Sequence, residues 1–261
     1  MSLRIVVCVK YVPDATGDRK FADDLTVDRE DVDGLLSELD EYAVEQALQI
    51  AEEADDAEVT VLTVGPEDAR DALRKALSMG ADKAVHVDDE SIHGSDVMAT
   101  SLVLAKAIEK TGYDLVIAGM ASTDGTMGVL PAILAERLGV PQLTLLSEVK
   151  VEGGRVTGRR DTDSATEQVE ASLPALVSVT DRSGEARYPS FKGIMAAKKK
   201  PVEELELSDL DIEADEVGLE GAWTAVDSAA QRPARAVGTV VKDEGDGAAL
   251  VAAFLAEQKF V

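Results

Sequence analysis

Short apolar runs alternate with amphipathic stretches through the first 140 residues. Leu3 to Val9, Glu58 to Val64, Lys83 to Val87 and Leu115 to Ala118 are rich in branched residues and lack a polar face, as buried parallel strands do. Between them, Leu39, Tyr42, Ala43, Gln46, Ala47 and Ile50 recur at helical spacing, with Ser37 or Asp40 as cap. Glu67 to Met79 reads as a helix stopped by Gly80, and Ser95 to Lys110 as another begun by Ser95-Asp96. Residues 14–36 are charged and irregular and read as a long surface loop or hairpin. Strands alternating with helices at this spacing predict an α/β fold, a Rossmann-like, mostly parallel sheet with helices on both faces.

After Pro141 the pattern changes. Leu143 to Val151, a Gly153-Gly154 turn and Arg155 to Arg160 predict a β-hairpin, Glu167 to Ser172 alternates like a further strand, and Leu173 to Val179 is again a buried one. Beyond residue 201 the chain turns acidic, then rich in Ala, Thr and Val, until a short helix over Gly247 to Lys259. The expected organisation is a nucleotide-binding α/β domain over 1–201 and, over 202–261, an extended C-terminal arm with a short helix that has little of its own to bury and is expected to pack on a partner subunit, a disordered acidic tail being the alternative.

The richest local pattern is Asp114 to Pro131. A strand ending at Ala118 leads into a loop with Gly119, Gly125 and Gly128 among Ser122, Thr123, Asp124 and Thr126. Val129, Leu130, Ile133, Leu134 and Leu138 then start a helix. Strand, small-residue loop and helix together present free backbone N–H groups to a phosphate, and glycine lets the ligand approach closely. No Lys or Arg lies between Gly119 and Glu136, so backbone and hydroxyl groups are expected to do the binding. An ordinary βα turn has the same outline. Ligands of open α/β sheets bind beyond the carboxyl ends of the strands, so Cys8-Val9-Lys10, Val64-Gly65-Pro66 and Gly119-Met120-Ala121 line one expected crevice with the helix start at Ser37 to Asp40.

Composition narrows the function. There are 51 acidic against 26 basic residues, a net charge of −25, which excludes general binding to nucleic acid and to anionic membranes. The same excess suits a high-salt cytoplasm, with simple solubility as the alternative. The single cysteine, Cys8, excludes a disulfide within the chain and points to a reducing compartment. With two histidines besides, no metal site and no catalytic set is expected. No apolar run has the roughly 18–20 residues of a membrane span, so no direct membrane insertion is expected. One block runs against the acidic trend: Arg187 to Pro201 holds five basic residues and no acid. Tyr188 and Phe191 in it are two of only nine aromatics (four Phe, four Tyr, one Trp). That is the composition of an anchor and rim at a protein interface, or of a helix with cations at its C-terminal end.

Several stretches together resemble the beta subunit of electron-transfer flavoprotein along nearly the whole chain. They are Val9-Lys10 with Pro13-Asp14, Glu41-Tyr-Ala-Val-Glu-Gln-Ala47, Ala76-Leu-Ser-Met-Gly-Ala-Asp82, Asp114-Leu-Val-Ile-Ala-Gly119, Leu173-Pro-Ala175, and Arg187 through Ile194-Met-Ala-Ala-Lys-Lys-Lys200. The resemblance implies a heterodimer whose alpha subunit holds the redox-active FAD. It implies a structural AMP in this subunit, at Cys8, Ser37, Glu38, Leu39, Asp40, Val64, Gly119 and Ser122 to Leu130 (Ser122, Thr123, Asp124, Gly125, Thr126, Met127, Gly128, Val129, Leu130). It implies a recognition loop for acyl-CoA and related dehydrogenases over 187–200, with Arg187, Tyr188, Phe191, Lys192, Ile194 and Met195, and electron delivery to a membrane quinone oxidoreductase. Asp161 matches an acid placed near the partner's flavin, and no catalytic residue is implied here. The loop departs from the family's common AMP form, which is richer in Asp, Asn and Gln. Its Asp124-Gly125 is shared with electron-bifurcating relatives that hold a second FAD there, but their following Asp-Thr-Ala-Gln is not matched here either. A nucleotide-binding stress or sensor domain without redox role is the third alternative.

Overall fold

The computed structural model describes every residue except 1, 18, 30, 31, 231, 236, 237 and 239. It divides into two units, Met1–Asp227 and Ser228–Val261.

The first unit is built on one nine-stranded sheet. In chain order its strands and helices are β1 (Leu3–Cys8), β2 (Tyr11–Pro13), β3 (Gly34–Leu36), α1 (Glu38–Glu53), β4 (Ala57–Val64), α2 (Arg70–Met79), β5 (Lys83–Val87), α3 (Val97–Thr111), β6 (Leu115–Gly119), α4 (Leu130–Leu138), β7 (Gln142–Glu152), β8 (Arg155–Asp161), β9 (Thr166–Ser172), β10 (Ala175–Val179), α5 (Phe191–Ala197), β11 (Val202–Leu205) and α6 (Gly218–Gly221). The order across the sheet is β11-β5-β4-β1-β6-β10-β7-β8-β9. The strands from β11 to β7 run parallel, and β8 and β9 add antiparallel to β7. The expected α/β fold with a mostly parallel sheet is present.

Alternation along the strands feeds two cores. Ile5, Val7, Val61, Ile117 and Val177 face one side and pack with Ala43, Ala47, Leu73 and Leu77 of α1 and α2. Val6, Cys8, Leu62, Val116 and Leu176 face the other and pack with Val103, Ile108 and Leu134 of α3 and α4. A sheet buried on both faces has no use for polar alternation, which is why these strands read as continuous apolar runs.

Helix ends follow local chemistry. The Asp96 carboxylate caps α3, accepting from Met98 N and Ala99 N at 3.0 Å each. Gly80 ends α2 with φ +150°, and Gly153 and Gly154, both at positive φ, make the tight β7–β8 turn. At α1 the expected caps behave differently. Ser37 holds the N-cap position, yet its buried Oγ has no partner among the described residues, and Asp40 accepts from outside the helix. The loop over 14–36 is anchored at both ends by the antiparallel pair β2–β3 and pinched by a bridge between Phe21 and Val27.

The stretch expected as an arm from residue 202 begins inside the fold. β11 pairs in parallel with β5, and Leu205, Leu207, Leu210, Ile212 and Val217 are buried in the α3-side core. The Glu203-Glu204 pair on an exposed edge strand hides this from a hydrophobicity reading. The second unit contains α7 (Gly247–Glu257), on which Leu250, Val251 and Phe254 are exposed. No helix among the described residues is long and apolar enough to cross a membrane.

Candidate functional site

The sheet changes direction at β1. From it the chain steps one way to β4 and β5 and the other way to β6, so the carboxyl ends of β1, β4 and β6 border a crevice at a topological switch point. Cys8, Val64 and Gly119 sit at or near these ends, and α1 starts beside them.

Gly119 is the hinge of this arrangement. A Cβ there would lie 2.4 Å from Asp40 Oδ1 and 2.8 Å from the Leu39 carbonyl oxygen. Only glycine lets the end of β6 meet the start of α1. Asp40 is buried, and its Oδ2 accepts from the Lys10 backbone N–H at 2.9 Å. Burial pushes its carboxyl up to about 7, partly relieved by the Lys10 hydrogen bond. Cys8 is also buried, and burial with the nearby Asp40 pushes its thiol up to about 12, so it packs as a small apolar group.

The loop after β6 folds on itself. Ser122 O accepts from Thr126 N at 3.0 Å, and Ser122 Oγ from Gly125 N at 3.2 Å. Thr126 and Gly128 have φ of +55° and +66°. Gly125, Thr126, Met127, Gly128 and Val129 are exposed, Thr123 and Leu130 half-buried. Among the described residues, the N–H groups of Met127, Gly128 and Val129 have no hydrogen-bond partner. These free donors precede α4, which begins at Leu130 with Pro131 following.

Two cations reach this loop from elsewhere, which the sequence reading missed. The Asp124 side chain is only 2% exposed and takes Lys10 Nζ at 2.9 Å and Arg29 Nη2 at 2.5 Å. Arg29 Nη1 also donates to the Tyr11 carbonyl at 3.2 Å. Burial alone would raise the Asp124 carboxyl; Lys10, Arg29 and Ser122 outweigh it and hold it well below the usual carboxylate range. Lys10 was visible at the end of the first strand, but nothing in the local pattern links it to a loop 114 residues away.

Of the expected crevice residues, Ser37, Leu39, Asp40, Cys8, Val64 and the 119–130 loop are gathered at these strand ends; Glu38 is exposed at the start of α1. Two surface concavities of about 400 Å³ each lie beside the β2–β3 excursion instead. One is lined by Pro13, Asp14, Thr16, Gly17, Lys20, Val32 and Asp33, the other by Gly34 to Leu36, Glu38, Glu41, Asp71 and Lys75. Neither includes the 119–130 loop, in which Gly125 to Val129 are exposed. Among the described residues no His, Cys, Asp and Glu group is placed to hold a metal ion.

The expected recognition residues form a second, separate feature. Ser190 Oγ accepts from Gly193 N at 3.0 Å and starts α5. A Cβ on Gly193 would lie 2.4 Å from Ser78 O, so α5 rests directly on the end of α2. Tyr188 and Phe191 are 93% and 82% exposed, and Lys192, Ile194 and Met195 are exposed beside them. Arg187 differs. Its guanidinium reaches Glu45 at 2.7 Å and Glu52 at 2.5 Å on α1, which raises its own pKa and holds the nearly buried Glu45 ionised. Lys200 Nζ likewise points inward, to the carbonyls of Leu77, Gly80 and Ala81. These two bases anchor the segment instead of decorating it.

Asp161 lies on β8, three places across the sheet from β6. It accepts from Thr166 Oγ1 and Ser147 Oγ at 2.8 Å each and from Arg159 Nε at 3.0 Å, which hold its carboxyl below the usual range.

A doubly wound, mostly parallel sheet with a switch-point crevice and a glycine-bearing βα loop defines the Rossmann-like class of α/β domains. Comparison with known proteins narrows this. A family model described as the electron transfer flavoprotein domain matches residues 24–210, and the chain belongs to the electron transfer flavoprotein family. It is 53% identical to the electron transfer flavoprotein subunit beta of Mycobacterium leprae and 52% identical to that of Mycobacterium bovis, each over 98% of this chain and 99% of the relative. It is 33% identical to the subunit of the same name from Megasphaera elsdenii, over 94% of this chain and 93% of the relative.

Proposed function

We propose that the chain is the beta subunit of a heterodimeric, cytoplasmic electron-transfer flavoprotein. An alpha subunit holds the FAD, and this subunit binds a structural AMP in the crevice formed by Cys8, Ser37 to Asp40, Val64 and Gly119 to Leu130. The complex takes electrons from acyl-CoA and related dehydrogenases, docked on the 187–200 segment, and delivers them to a membrane quinone oxidoreductase. Within the complex, the segment from 202 to 261 packs in part on the alpha subunit, and Asp161 lies near its flavin.

The observation that carries this is the shelf at the switch point. Free N–H groups of Met127, Gly128 and Val129 stand at the start of α4, in a loop with positive φ at Thr126 and Gly128. Their partial positive charge suits a phosphate. When bound, the flavin supplies the redox chemistry; this chain's residues bind, orient and dock. The Asp124-Gly125 pair supports a second reading, in which FAD occupies the crevice and the complex splits electron pairs.

Nucleotide extraction from the purified alpha–beta complex tests both. One FAD and one AMP per heterodimer is the expected count. Two FAD and no AMP would replace the first reading by the second. A chain that forms no complex and carries no nucleotide would overturn both in favour of a sensor domain.

A further inference from the structure

The loop from Gly119 to Leu130 contains no cation of its own, yet two converge on it. Lys10 arrives from the end of β1 and Arg29 from the long surface loop, and both settle on the single carboxylate of Asp124. In a chain with 51 acids and 26 bases, two cations here meet one carboxylate of the loop. Asp124 is shielded, with its side chain 2% exposed, whereas Lys10 and Arg29 remain 42% and 29% exposed. The carboxylate is hidden and the cations face outward. Lys10 Nζ lies 3.9 Å from where a Gly125 Cβ would be, so it overhangs the turn that leads to the free N–H groups at Met127 to Val129.

We propose that Lys10 and Arg29, aimed by Asp124, form a cationic wall that makes this crevice select a phosphorylated nucleotide over the bare nucleoside. This rests on the nucleotide-binding function proposed above and adds the residues that recognise the phosphate. Asp124 is a positioning residue: it spends its charge in orienting two cations that would otherwise swing freely in water. Backbone donors alone give a phosphate modest preference, whereas charge-assisted contacts to Lys and Arg are roughly twice as strong as neutral ones. The wall also ties the long surface loop to the shelf through Arg29, which in addition holds the Tyr11 carbonyl.

The test uses the alpha–beta complex stripped of nucleotide and titrated calorimetrically with AMP and with adenosine. Lys10→Met and Arg29→Met are each expected to weaken AMP at least tenfold while adenosine changes less than threefold. Arg29→Met lies in a surface loop and keeps the test open if Lys10→Met does not assemble. Asp124→Asn separates aiming from charge counting. Removing a negative charge would tighten AMP if only net charge mattered; loss of aim weakens it severalfold. An unchanged AMP-to-adenosine ratio in both cation variants would overturn the wall while leaving the nucleotide reading intact. A wild-type complex that takes FAD and not AMP would change the nucleotide reading alone, and the same variants titrated with FAD against riboflavin would then decide the wall. Binding of none of these ligands to the wild type would overturn both.

Discussion

Two aspartates flank Lys10 and ionise in opposite senses. Asp124 is held charged by two cations, whereas Asp40 is pushed up to about 7, mainly by burial, against backbone hydrogen bonds from Lys10 and Gly119 and the charge of Lys10. The unfolded chain releases the Asp40 proton near its ordinary value of about 4. Between about pH 4 and pH 7 the folded chain therefore keeps a proton that the unfolded one has lost. Stability from this group falls as pH rises through that window and is level above it. Asp40→Asn keeps an oxygen to accept from Lys10 N and has no proton to lose. Its unfolding free energy should depend less on pH between 5 and 8 than that of the wild type, with the variant gaining on the order of 1–3 kcal/mol relative to wild type at the upper end. Urea titrations at fixed salt measure this, and parallel pH profiles would show that Asp40 is ionised without penalty.

At the scale of elements, α5 is a short helix with almost nothing to bury, so its placement comes from its flanks. Arg187 pins its approach to α1, Gly193 seats it on α2, and Lys200 ties its exit to the end of α2. The result is a fixed shelf of exposed Tyr188, Phe191, Ile194 and Met195. A preorganised aromatic anchor loses little entropy on docking. If this is where dehydrogenases dock, Phe191→Ala should weaken docking by about 2 kcal/mol, roughly 30-fold, with flavin content unchanged. Titrating a dehydrogenase assay with wild-type and variant complex reads this directly, and normal transfer from every dehydrogenase tested would count against it. The helix-and-strand frame was legible because buried parallel strands announce themselves as apolar runs, and glycines and Asp96 mark helix ends. β11 was not, because its two glutamates lie on an edge where one side of the strand meets water. The crevice could be placed from the strand ends, and the shelf from its glycines. Arg29 could not, because its partner is 95 residues away and ion pairs leave no periodicity in a sequence. For the same reason Arg187 read as a contact residue although its charge is spent inside the fold.

At the scale of the molecule, a net charge of −25 is distributed unevenly. Several bases are committed to specific tasks: Lys10 and Arg29 at Asp124, Arg187 at Glu45 and Glu52, and Lys200 at the end of α2. The surplus of acids is left on the surface, where its repulsion opposes the compact state. Screening acts differently on the two populations. The Debye length is about 10 Å at 0.1 M salt and about 3 Å at 1 M, so repulsion across the surface fades while contact pairs whose acid is nearly buried, such as those at Asp124 and Glu45, are screened less. Raising KCl from 0.1 M to 2 M should therefore stabilise the protein, because what salt removes is mostly unfavourable. One kcal/mol moves the midpoint of a protein this size by about 2–4 °C, and relief of a few kcal/mol predicts a rise of about 5 °C or more. Chloride is the right anion for the measurement, since sulfate would strengthen apolar burial and raise the midpoint for a different reason. Thermal unfolding followed by circular dichroism in KCl gives the answer. A midpoint that stays level or falls would mean that the surface acids are already balanced by their neighbours, and that the acidic excess serves solubility alone.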